Sequence, residues 1–416
     1  MVHSNDLDPG PSVEAWIARL RAAPGLGSRL EPSFDDQVDQ GYGHTLREIC
    51  QQPVTWLETA ARMARSRALV DATLEAAGAR DGRGALVLTG SGSSLYAGEC
   101  LAVPLQQALK IPVNAVAAGQ LLTHPEGSLP PDGPYAVVSF ARSGNSPESR
   151  AVVDSLLEEQ DRASHLIITC NRQGTLATEY RDAARVRAVV LDEKTDDKSL
   201  VMTSSFTNMV LAGGALGHLE AGVGHAARAH ALASRAARVL LEDGQTIEDV
   251  AKSGFSSVVY LGSGCRMGAA REASLKMIEM NDGDVWALPE SYLGLRHGPM
   301  SAIGERTLVV AFLSSDPLVR AYETDVIREL DRKKLGSGRL VVGSGVPPDL
   351  AGPRGSIVDG DVSAALDDED LVLIDVLVGQ LLAFFRCIEA GHHPDSPSTE
   401  GVISRVVSGF EIHRRS

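Results

Sequence analysis

The sequence has few aromatic residues, few cysteines and too little positive charge to balance its acidic residues. Aromatics make up 4% of the 416 residues, so any core must be mainly aliphatic. Five cysteines without a Cys-x-x-Cys pair argue against a disulfide framework and a structural zinc site. The 54 acidic and 39 basic residues give a net charge of −15, which argues against a nucleic-acid-binding surface.

Long uninterrupted hydrophobic runs are also missing. A membrane span needs about 20 apolar residues, whereas the most apolar stretch, residues 371–385, contains Asp375 and Gln380. We therefore predict a buried helix there and no membrane partner. Residues 1–10 are polar and acidic, unlike a signal peptide. We expect a soluble, cytoplasmic protein.

Short apolar runs alternate with helix-like segments over most of the chain. At roughly 150 residues per domain, the length predicts two or three domains. Apolar runs separated by helices predict parallel sheets covered on both faces. The pattern starts again at Gly262, which predicts an internal repeat of two α/β lobes. The predicted strands are 85–89, 135–140, 165–169, 187–191, 257–261, 307–313 and 339–342.

The predicted helices lie between these runs and before the first of them. They comprise residues 44–78, divided at Pro53, a helix from the first glycine-rich loop to about Leu109, residues 148–159, and an alanine-rich stretch at about 200–243. The first 40 residues contain turn signals without strong periodicity.

Two Gly-Ser-Gly loops, at Gly90 and Gly262, each follow a predicted strand and open a helix. Helix starts of this kind offer free N–H groups to anions. The dinucleotide-binding pattern G-x-G-x-x-G is absent, because the position of its third glycine is occupied by Leu95 in one loop and by Met267 in the other. No ATP-type P-loop pattern occurs either, so neither nucleotide cofactor is expected.

Hydroxyl groups are concentrated in the first loop and after the second predicted strand. They belong to Ser91, Ser93, Ser94, Ser143 and Ser146. Both loops should lie at the carboxyl ends of strands, where open α/β sheets bind ligands, and a hydroxyl-lined loop suits a phosphate monoester. The alternative is that these residues only cap helices and close turns. Because two successive strand–loop–helix segments both have hydroxyl-rich loops, we give the phosphate-binding and the capping interpretations equal weight.

Three charged residues share one face of the helix predicted after Gly264. Glu272, Lys276 and Glu279 are spaced by four and three positions. Taken alone, they indicate a solvated Glu–Lys pair. The apolar neighbours Leu275, Met277 and Ile278 favour a largely buried helix instead, whose charged face lines a cleft.

Histidines provide weaker signals. His297 lies in Gly294-Leu295-Arg296-His297-Gly298-Pro299, a shaped loop in which a neutral imidazole could move protons near neutral pH. A lone loop histidine is more often merely exposed. The pair His392-His393 has no carboxylate or cysteine at ligand spacing, so we predict no metal site there.

Taken together, these segments resemble the sugar isomerase (SIS) domain proteins, over about residues 44–412. Within them they are most similar to the tagatose-6-phosphate ketose/aldose isomerase family, also described as galactosamine-6-phosphate deaminase/isomerase. The string Ser139-Phe140-Ala141-Arg142-Ser143-Gly144-Asn145-Ser146-Pro147-Glu148-Ser149 is the most specific. Other matching segments are 46–53, 88–94, 197–207, 271–276, 295–299 and the tail 404–409.

The resemblance implies an α/β fold with two SIS domains, each a parallel-sheet αβα sandwich of the flavodoxin-like type, and an N-terminal helical segment. We expect boundaries at 1–60 for that segment, 61–235 for SIS domain 1, and 236–416 for SIS domain 2 with the tail. A homodimer or higher homo-oligomer, with a site shared between subunits, is also implied.

The resemblance further implies roles for particular residues, with no metal or organic cofactor. In the related isomerase domain of glutamine–fructose-6-phosphate transaminase, the position matching Glu279 shuttles a proton between C1 and C2. The position matching His297 assists ring opening from a neighbouring subunit, and Glu272 and Lys276 are secondary candidates on the same helix face. The residues expected at the sugar phosphate are Ser93, Ser94, Ser143 and Ser146, with Arg142 from the same string.

The expected activity is conversion of galactosamine-6-phosphate to tagatose-6-phosphate and ammonia. The alternatives are an isomerase or deglycase for another hexose phosphate, and a non-catalytic sugar-phosphate-binding regulator. The sequence departs from the transaminase in two places. Too few residues precede the first SIS strand for a glutaminase domain, so we do not expect ammonia to be drawn from glutamine. The transaminase's C-terminal lysine has no clear equivalent at 407–409, which puts a Schiff-base step in doubt.

Overall fold

The computed structural model describes residues 7–218, 223–360, 366–407, 409 and 411–413. They form two compact units, each built on one five-stranded sheet. The first-sheet unit comprises Thr55–Asp197, Ser204–Ala227 and Ile403–Ser416. The second-sheet unit comprises Met1–Val54, Lys198–Thr203 and Arg228–Val402.

Short helices occupy the region before the first sheet. Two of them begin at a serine cap: Ser12 accepts a hydrogen bond from the Ala15 N–H, and Ser33 accepts one from the Asp36 N–H. Trp16 is buried and donates its indole N–H to the Cys50 carbonyl. The helices are α1 (Val13–Leu20), α2 (Gly27–Leu30), α3 (Phe34–Asp39) and α4 (Gly43–Cys50).

The region predicted as helix over 44–78 is helical and is divided near Pro53, as expected, although the break itself falls at Gln51. Pro53 takes the second position of the helix that follows, where its missing N–H costs nothing. A further break at Ser66 was not predicted. The resulting helices are α5 (Gln52–Arg65) and α6 (Arg67–Ala76).

The first sheet is entirely parallel, with strand order β2-β1-β3-β4-β5. Every residue of β1, β3 and β4 is buried, as expected for strands covered on both faces. The elements are β1 (Ala85–Gly90), α7 (Ser93–Leu109), β2 (Val113–Ala117), α8 (Ala118–Thr123), β3 (Tyr135–Ala141), α9 (Pro147–Glu159), β4 (Ala163–Thr169), α10 (Thr175–Thr178), β5 (Val186–Val190) and α11 (Ser204–His218).

The second sheet is also parallel, with order β10-β9-β8-β6-β7. The elements are α12 (Val223–Arg238), α13 (Gly244–Ala251), β6 (Ser257–Leu261), α14 (Arg266–Met280), β7 (Trp286–Glu290), α15 (Tyr292–Leu295), β8 (Thr307–Phe312), α16 (Pro317–Lys333), β9 (Gly338–Ser344), β10 (Gly355–Gly360) and α17 (Asp368–Glu389). Of the stretch predicted as helix at about 200–243, residues 200–203 are not helical, and the helix runs from Ser204 to His218 and from Val223 to a π-helical turn over Val239–Asp243. Residues 219–222 lie outside the described part.

Numbered within its own sheet, each set of strands follows the order 2-1-3-4-5, the flavodoxin-like arrangement. The predicted fold class, with two α/β lobes of the same plan, is therefore confirmed. The strand order reverses between β1 and β3 in the first sheet and between β6 and β8 in the second. Those two reversals mark where ligands are expected in folds of this type.

The predicted buried helix is α17. By length and composition alone it could cross a membrane, but 89% of its most apolar window is buried inside the protein. Its two polar core residues have partners: Asp375 binds Arg266, and Gln380 accepts from Gln52 and donates to the Thr203 carbonyl. This helix is therefore a core element of the second-sheet unit.

Candidate active site

The first hydroxyl-rich loop joins β1 to α7 in the first-sheet unit. Ser93 and Ser94 are the first two residues of α7 and are only 4% and 7% exposed. Gly92 has a φ of 55°, a conformation that favours glycine. A Cβ at Gly90 would lie 2.5 Å from that of Ser94, so strand and helix approach each other closely. The loop thus holds two hydroxyls at the start of a helix, the end of a helix dipole that favours an anion.

The second hydroxyl-rich loop joins β3 to α9. Gly144 has a φ of 66°, and the turn ends at Ser146, the N-cap of α9. The Ser146 hydroxyl donates to the Ser149 hydroxyl at 2.7 Å, and the Asn145 N–H donates to the Ser143 hydroxyl at 3.3 Å. The capping interpretation is therefore correct for Ser146, whose single hydroxyl proton is donated to Ser149, whereas the Ser143 hydroxyl is the acceptor in its bond with Asn145.

These two loops meet at one place in the sheet. Strands β1 and β3 are neighbours, with Thr89 in register with Ser139, and both run towards the same edge. The strand order reverses between them, which opens a crevice at their carboxyl ends. The structure thus brings Ser93, Ser94, Ser143 and Ser146 to the end of the sheet where a phosphate is expected.

Arg142, the fifth predicted phosphate residue, contacts the C-terminal tail. It is 7% exposed, and its Nη2 donates to the Arg405 carbonyl at 2.8 Å. The Arg405 guanidinium in turn donates to the Asp196 carboxylate at 2.7 Å and to the Asp197 carbonyl. Sequence reasoning assigned no role to Arg405, although it lies in the tail segment 404–409 that carried part of the resemblance; Ser408 of that segment is outside the described residues.

The predicted charged face of α14 is present in the second-sheet unit, and it is not the solvated pair that isolated spacing suggests. Lys276 and Glu272 have fully buried side chains, with Nζ 3.4 Å from the Glu272 Oε1. Lys276 also donates to the Glu279 carboxylate, whose side chain is 22% exposed. A buried ammonium thus bridges two carboxylates, of which Glu279 alone reaches solvent.

The surroundings of this cluster differ from the expectation in one respect. Met277 is buried, but Ile278 is 37% exposed, so the helix shows an apolar side chain to solvent and its charges to the interior. The helix packs against α17, where a Cβ at Gly379 would approach the Ala273 Cβ to 2.5 Å. This close helix contact contributes to the burial of the charged face.

His297 lies in the turn that follows α15. Its side chain is exposed, its N–H donates to the Gly294 carbonyl at 2.9 Å, and Gly298 after it has a φ of 131°. The predicted shaped loop is therefore present. Within the described residues the imidazole makes no hydrogen bond to the α14 cluster. The histidine pair contacts two different groups, with His392 on the Asp284 carboxylate and His393 on the Gln40 carbonyl.

Over the described parts of the chain, no group of three or more His, Cys, Asp or Glu side chains is arranged to hold a metal ion. All five cysteines lie in the described part of the chain, are buried and form no disulfide. Burial raises the pKa of Cys265 to about 12, so this thiol, beside the second Gly-Ser-Gly loop, is a poor nucleophile. The groups suited to chemistry are therefore the serine loops and the α14 carboxylates.

Two parallel five-stranded sheets of flavodoxin-like order, each flanked by helices, define a protein of the SIS class of phosphosugar isomerases. A D-galactosamine-6-phosphate deaminase AgaS from a Shewanella species is 34% identical over 392 residues, which are 93% of this chain and 96% of the relative. An Escherichia coli protein of the same name is 32% identical over 370 residues, 89% of this chain and 95% of the relative. This chain belongs to that D-galactosamine-6-phosphate deaminase family, as the sequence resemblance implied.

Comparison with solved structures gives the same result. The crystal structure of tagatose-6-phosphate ketose/aldose isomerase from Escherichia coli superposes with a TM-score of 0.81 at 30% identity. The match covers 89% of this chain and 96% of that one. No protein-family model matches the chain.

Proposed function

We propose that this protein converts D-galactosamine-6-phosphate and water to D-tagatose-6-phosphate and ammonia. The names of the relatives support the substrate and the deamination. The observation that carries the residue assignment is the unequal access of the α14 cluster: the Glu279 carboxylate reaches solvent, whereas Glu272 and Lys276 do not. The group that a substrate can reach is the one proposed to move the proton.

The 6-phosphate is proposed to bind the serine loops. Ser93, Ser94, Ser143 and Ser146 supply hydroxyl groups, and the positive end of the α7 dipole favours the anion. A net charge of −15 does not oppose this, because the local donors and the helix end set the potential in a small crevice. Arg142 is proposed to act by holding the tail at Arg405 beside these loops. Fixing the phosphate lowers the entropic part of the barrier.

The proton transfer is proposed to use one base. After ring opening, the Glu279 carboxylate takes the C2 proton and forms an enolamine. It then returns the proton to C1, which leaves an imine at C2. Water adds to the imine carbon, the C–N bond breaks, and ammonia leaves the 2-ketose. Lys276 and Glu272 are positioning residues here, because their buried pair fixes the Glu279 side chain.

His297 is proposed to transfer the proton that opens the pyranose ring. Its exposed side chain is compatible with the expectation that this loop acts in a neighbouring subunit of a homodimer or higher homo-oligomer. A cytoplasmic location and the domain boundaries at 60 and 235 also remain proposals, supported by the resemblance to SIS proteins.

A second candidate activity is plain aldose–ketose isomerisation. The name of the Escherichia coli structural relative favours it. The same base serves both reactions, because the enediol and the enolamine are alike. With a hydroxyl on C2 the product is the ketose, and no ammonia forms.

One substrate panel tests these proposals. Galactosamine-6-phosphate, glucosamine-6-phosphate and tagatose-6-phosphate are assayed separately for ammonia and for aldose–ketose interconversion, with the wild type and Glu279→Gln. We expect ammonia from galactosamine-6-phosphate and a loss of about 10²–10⁴-fold in kcat for Glu279→Gln, the usual contribution of a general base. Glu305→Gln, an exposed glutamate in the loop before β8, is the matched control and should keep full activity.

Each outcome discriminates between the candidates. Unchanged ammonia release in Glu279→Gln would show that another group is the base. Ketose formation without ammonia from any hexosamine phosphate would favour the isomerase. Binding without turnover of all three compounds would favour a sugar-phosphate-sensing regulator.

A further inference from the structure

The second sheet has the same strand reversal as the first, so its crevice can be compared residue by residue. In the first sheet Thr89 pairs with Ser139, and Gly90 follows. In the second sheet Leu261 pairs with Ala311, and Gly262 follows. Counting along the chain from these paired residues, Arg266 of the second sheet corresponds to Ser94 of the first, and Ser314-Ser315 correspond to Arg142-Ser143.

The close approach of strand and helix confirms this correspondence. A Cβ added at Gly90 would collide with Ser94, and one added at Gly262 would collide with Arg266. Both second loops also end in an N-cap followed by proline, with Ser146 before Pro147 and Asp316 before Pro317. The two crevices are therefore built to one plan.

Their contents differ. Arg266, in place of a serine, is fully buried, and its Nε and Nη2 bind the two Asp375 carboxylate oxygens at 2.6 and 2.5 Å. This bidentate geometry is the strongest form of an arginine–carboxylate pair. The Nη1 donates to the Leu313 carbonyl and lies 3.5 Å from the Asp368 carboxylate.

Asp368 binds the serine loop from the first turn of α17. Its carboxylate accepts hydrogen bonds from the Ser314 hydroxyl at 2.5 Å, the Ser315 N–H at 2.6 Å and the Ser315 hydroxyl at 2.9 Å. Two hydroxyls and a backbone N–H form the kind of donor set that a bound phosphate oxygen uses. The Asp368 carboxylate thus satisfies the donors that an external anion would need.

Charge also disfavours an external anion there. Besides Asp368 and Asp375, the Glu323 carboxylate accepts from the Ser314 N–H at 2.7 Å. The guanidiniums at this loop are those of Arg266 and of Arg320, which donates to the Ser314 carbonyl at 2.6 Å. A phosphate dianion would add to three carboxylates facing two guanidiniums. Removal of one carboxylate would free the donors and reduce the local excess of negative charge.

We propose that the crevice of the second sheet is a latent oxyanion site in which the Asp368 carboxylate occupies the position of a phosphate. Each chain then binds one sugar phosphate, at the serine loops of the first sheet, and this count rests on the proposed function. Truncation of Asp368 opens a second site for a phosphate-type anion. The side chain is 24% exposed, so the vacated position is accessible from solvent.

The test counts bound inorganic phosphate per chain by equilibrium dialysis, with folding checked by circular dichroism. We expect one equivalent for the wild type, two for Asp368→Ala, and one for Asp368→Ala combined with Ser315→Ala. Glu369→Gln, which removes the same charge one residue further along α17, is the matched control and should bind one. Asp368→Asn keeps the side chain in place and should also bind one.

Two results would overturn the proposal: two equivalents in the wild type, or no added equivalent in folded Asp368→Ala. If Asp368→Ala does not fold, Asp368→Ser, which keeps a small polar group in the first turn of α17, replaces it under the same expectation. Should the wild type bind no phosphate, the assignment of the first-sheet loops fails. The increment between the wild type and the Asp368 variant still decides the present proposal, so the two failures are distinguishable.

Discussion

His165 provides a quantitative link between burial and the pH dependence of stability. It lies in β4 with 0% exposure, and neither ring nitrogen has a hydrogen-bond partner among the residues that the structure describes. Burial, assisted by the nearby Arg185 guanidinium, lowers its pKa from 6.5 to about 4. The folded protein therefore keeps this imidazole neutral at pH values where an unfolded chain protonates it.

The sign and size of the effect follow from linkage. Above pH 6.5 the residue is neutral in both states and contributes no pH dependence. As the pH falls below 6.5, His165 binds a proton in the unfolded state but not in the folded state. The free energy of unfolding therefore decreases until about pH 4. A pKa lowered from 6.5 to about 4 corresponds to a loss of about 3 kcal/mol.

The measurement compares urea unfolding of the wild type with that of His165→Phe between pH 7.5 and 4. Phenylalanine keeps a ring in the core and does not titrate, so the wild type should lose about 3 kcal/mol more than the variant. Carboxyls whose pKa burial raises to about 6, those of Asp243, Asp370 and Asp375, are common to both proteins and cancel. Equal losses, or an imidazole that titrates near 6.5 by NMR in the folded protein, would refute the reasoning.

Two further predictions concern α14. Lys276→Met removes the buried ammonium from Glu272 and should lower the free energy of unfolding by about 3–5 kcal/mol. Glu272→Gln in the same chain should restore part of that loss. A double-mutant cycle of urea denaturation curves measures both effects, and an unchanged free energy of unfolding in Lys276→Met would contradict a buried ion pair. Gly379→Ala brings a methyl group 2.5 Å from the Ala273 Cβ and should cost about 1–3 kcal/mol. Its control, Gly119→Ala in α8, meets no atom within 4 Å and should be neutral or slightly stabilising, so equal effects of the two changes would exclude the steric explanation.

The strands show where sequence reasoning succeeds and where it stops. The central strands were all predicted, because strands buried on both faces are continuous apolar runs. Three strands were missed: β2, β7 and β10, each at the edge of its sheet. An edge strand has a neighbour on one side only, so its burial is incomplete and its run is interrupted, as by Pro289 in β7 or Asn114 in β2.

The candidate site likewise has features that the sequence predicts and features that it does not. Hydroxyl-rich loops were predicted correctly as loops at strand ends, because glycine and serine act through local backbone geometry. The face shared by Glu272, Lys276 and Glu279 was also predicted, since helical spacing is local. Their burial was not determined by that spacing. It depends on α17, about one hundred residues later in the chain, packing against α14.

The sequence by itself determined the class of fold, the family and the position of the serine loops, because each depends on short segments whose residue order carries the information. Tertiary structure alone decided which charges face solvent and which crevice is open. Glu279 is accessible and Glu272 is not, although the helical pattern treats them alike. The two Gly-Ser-Gly loops are alike in sequence, but beside the second one Asp368 and Asp375 of the distant helix α17 bind Ser314 and Arg266. Desolvation and pairing between remote segments set these differences, and no local pattern encodes them.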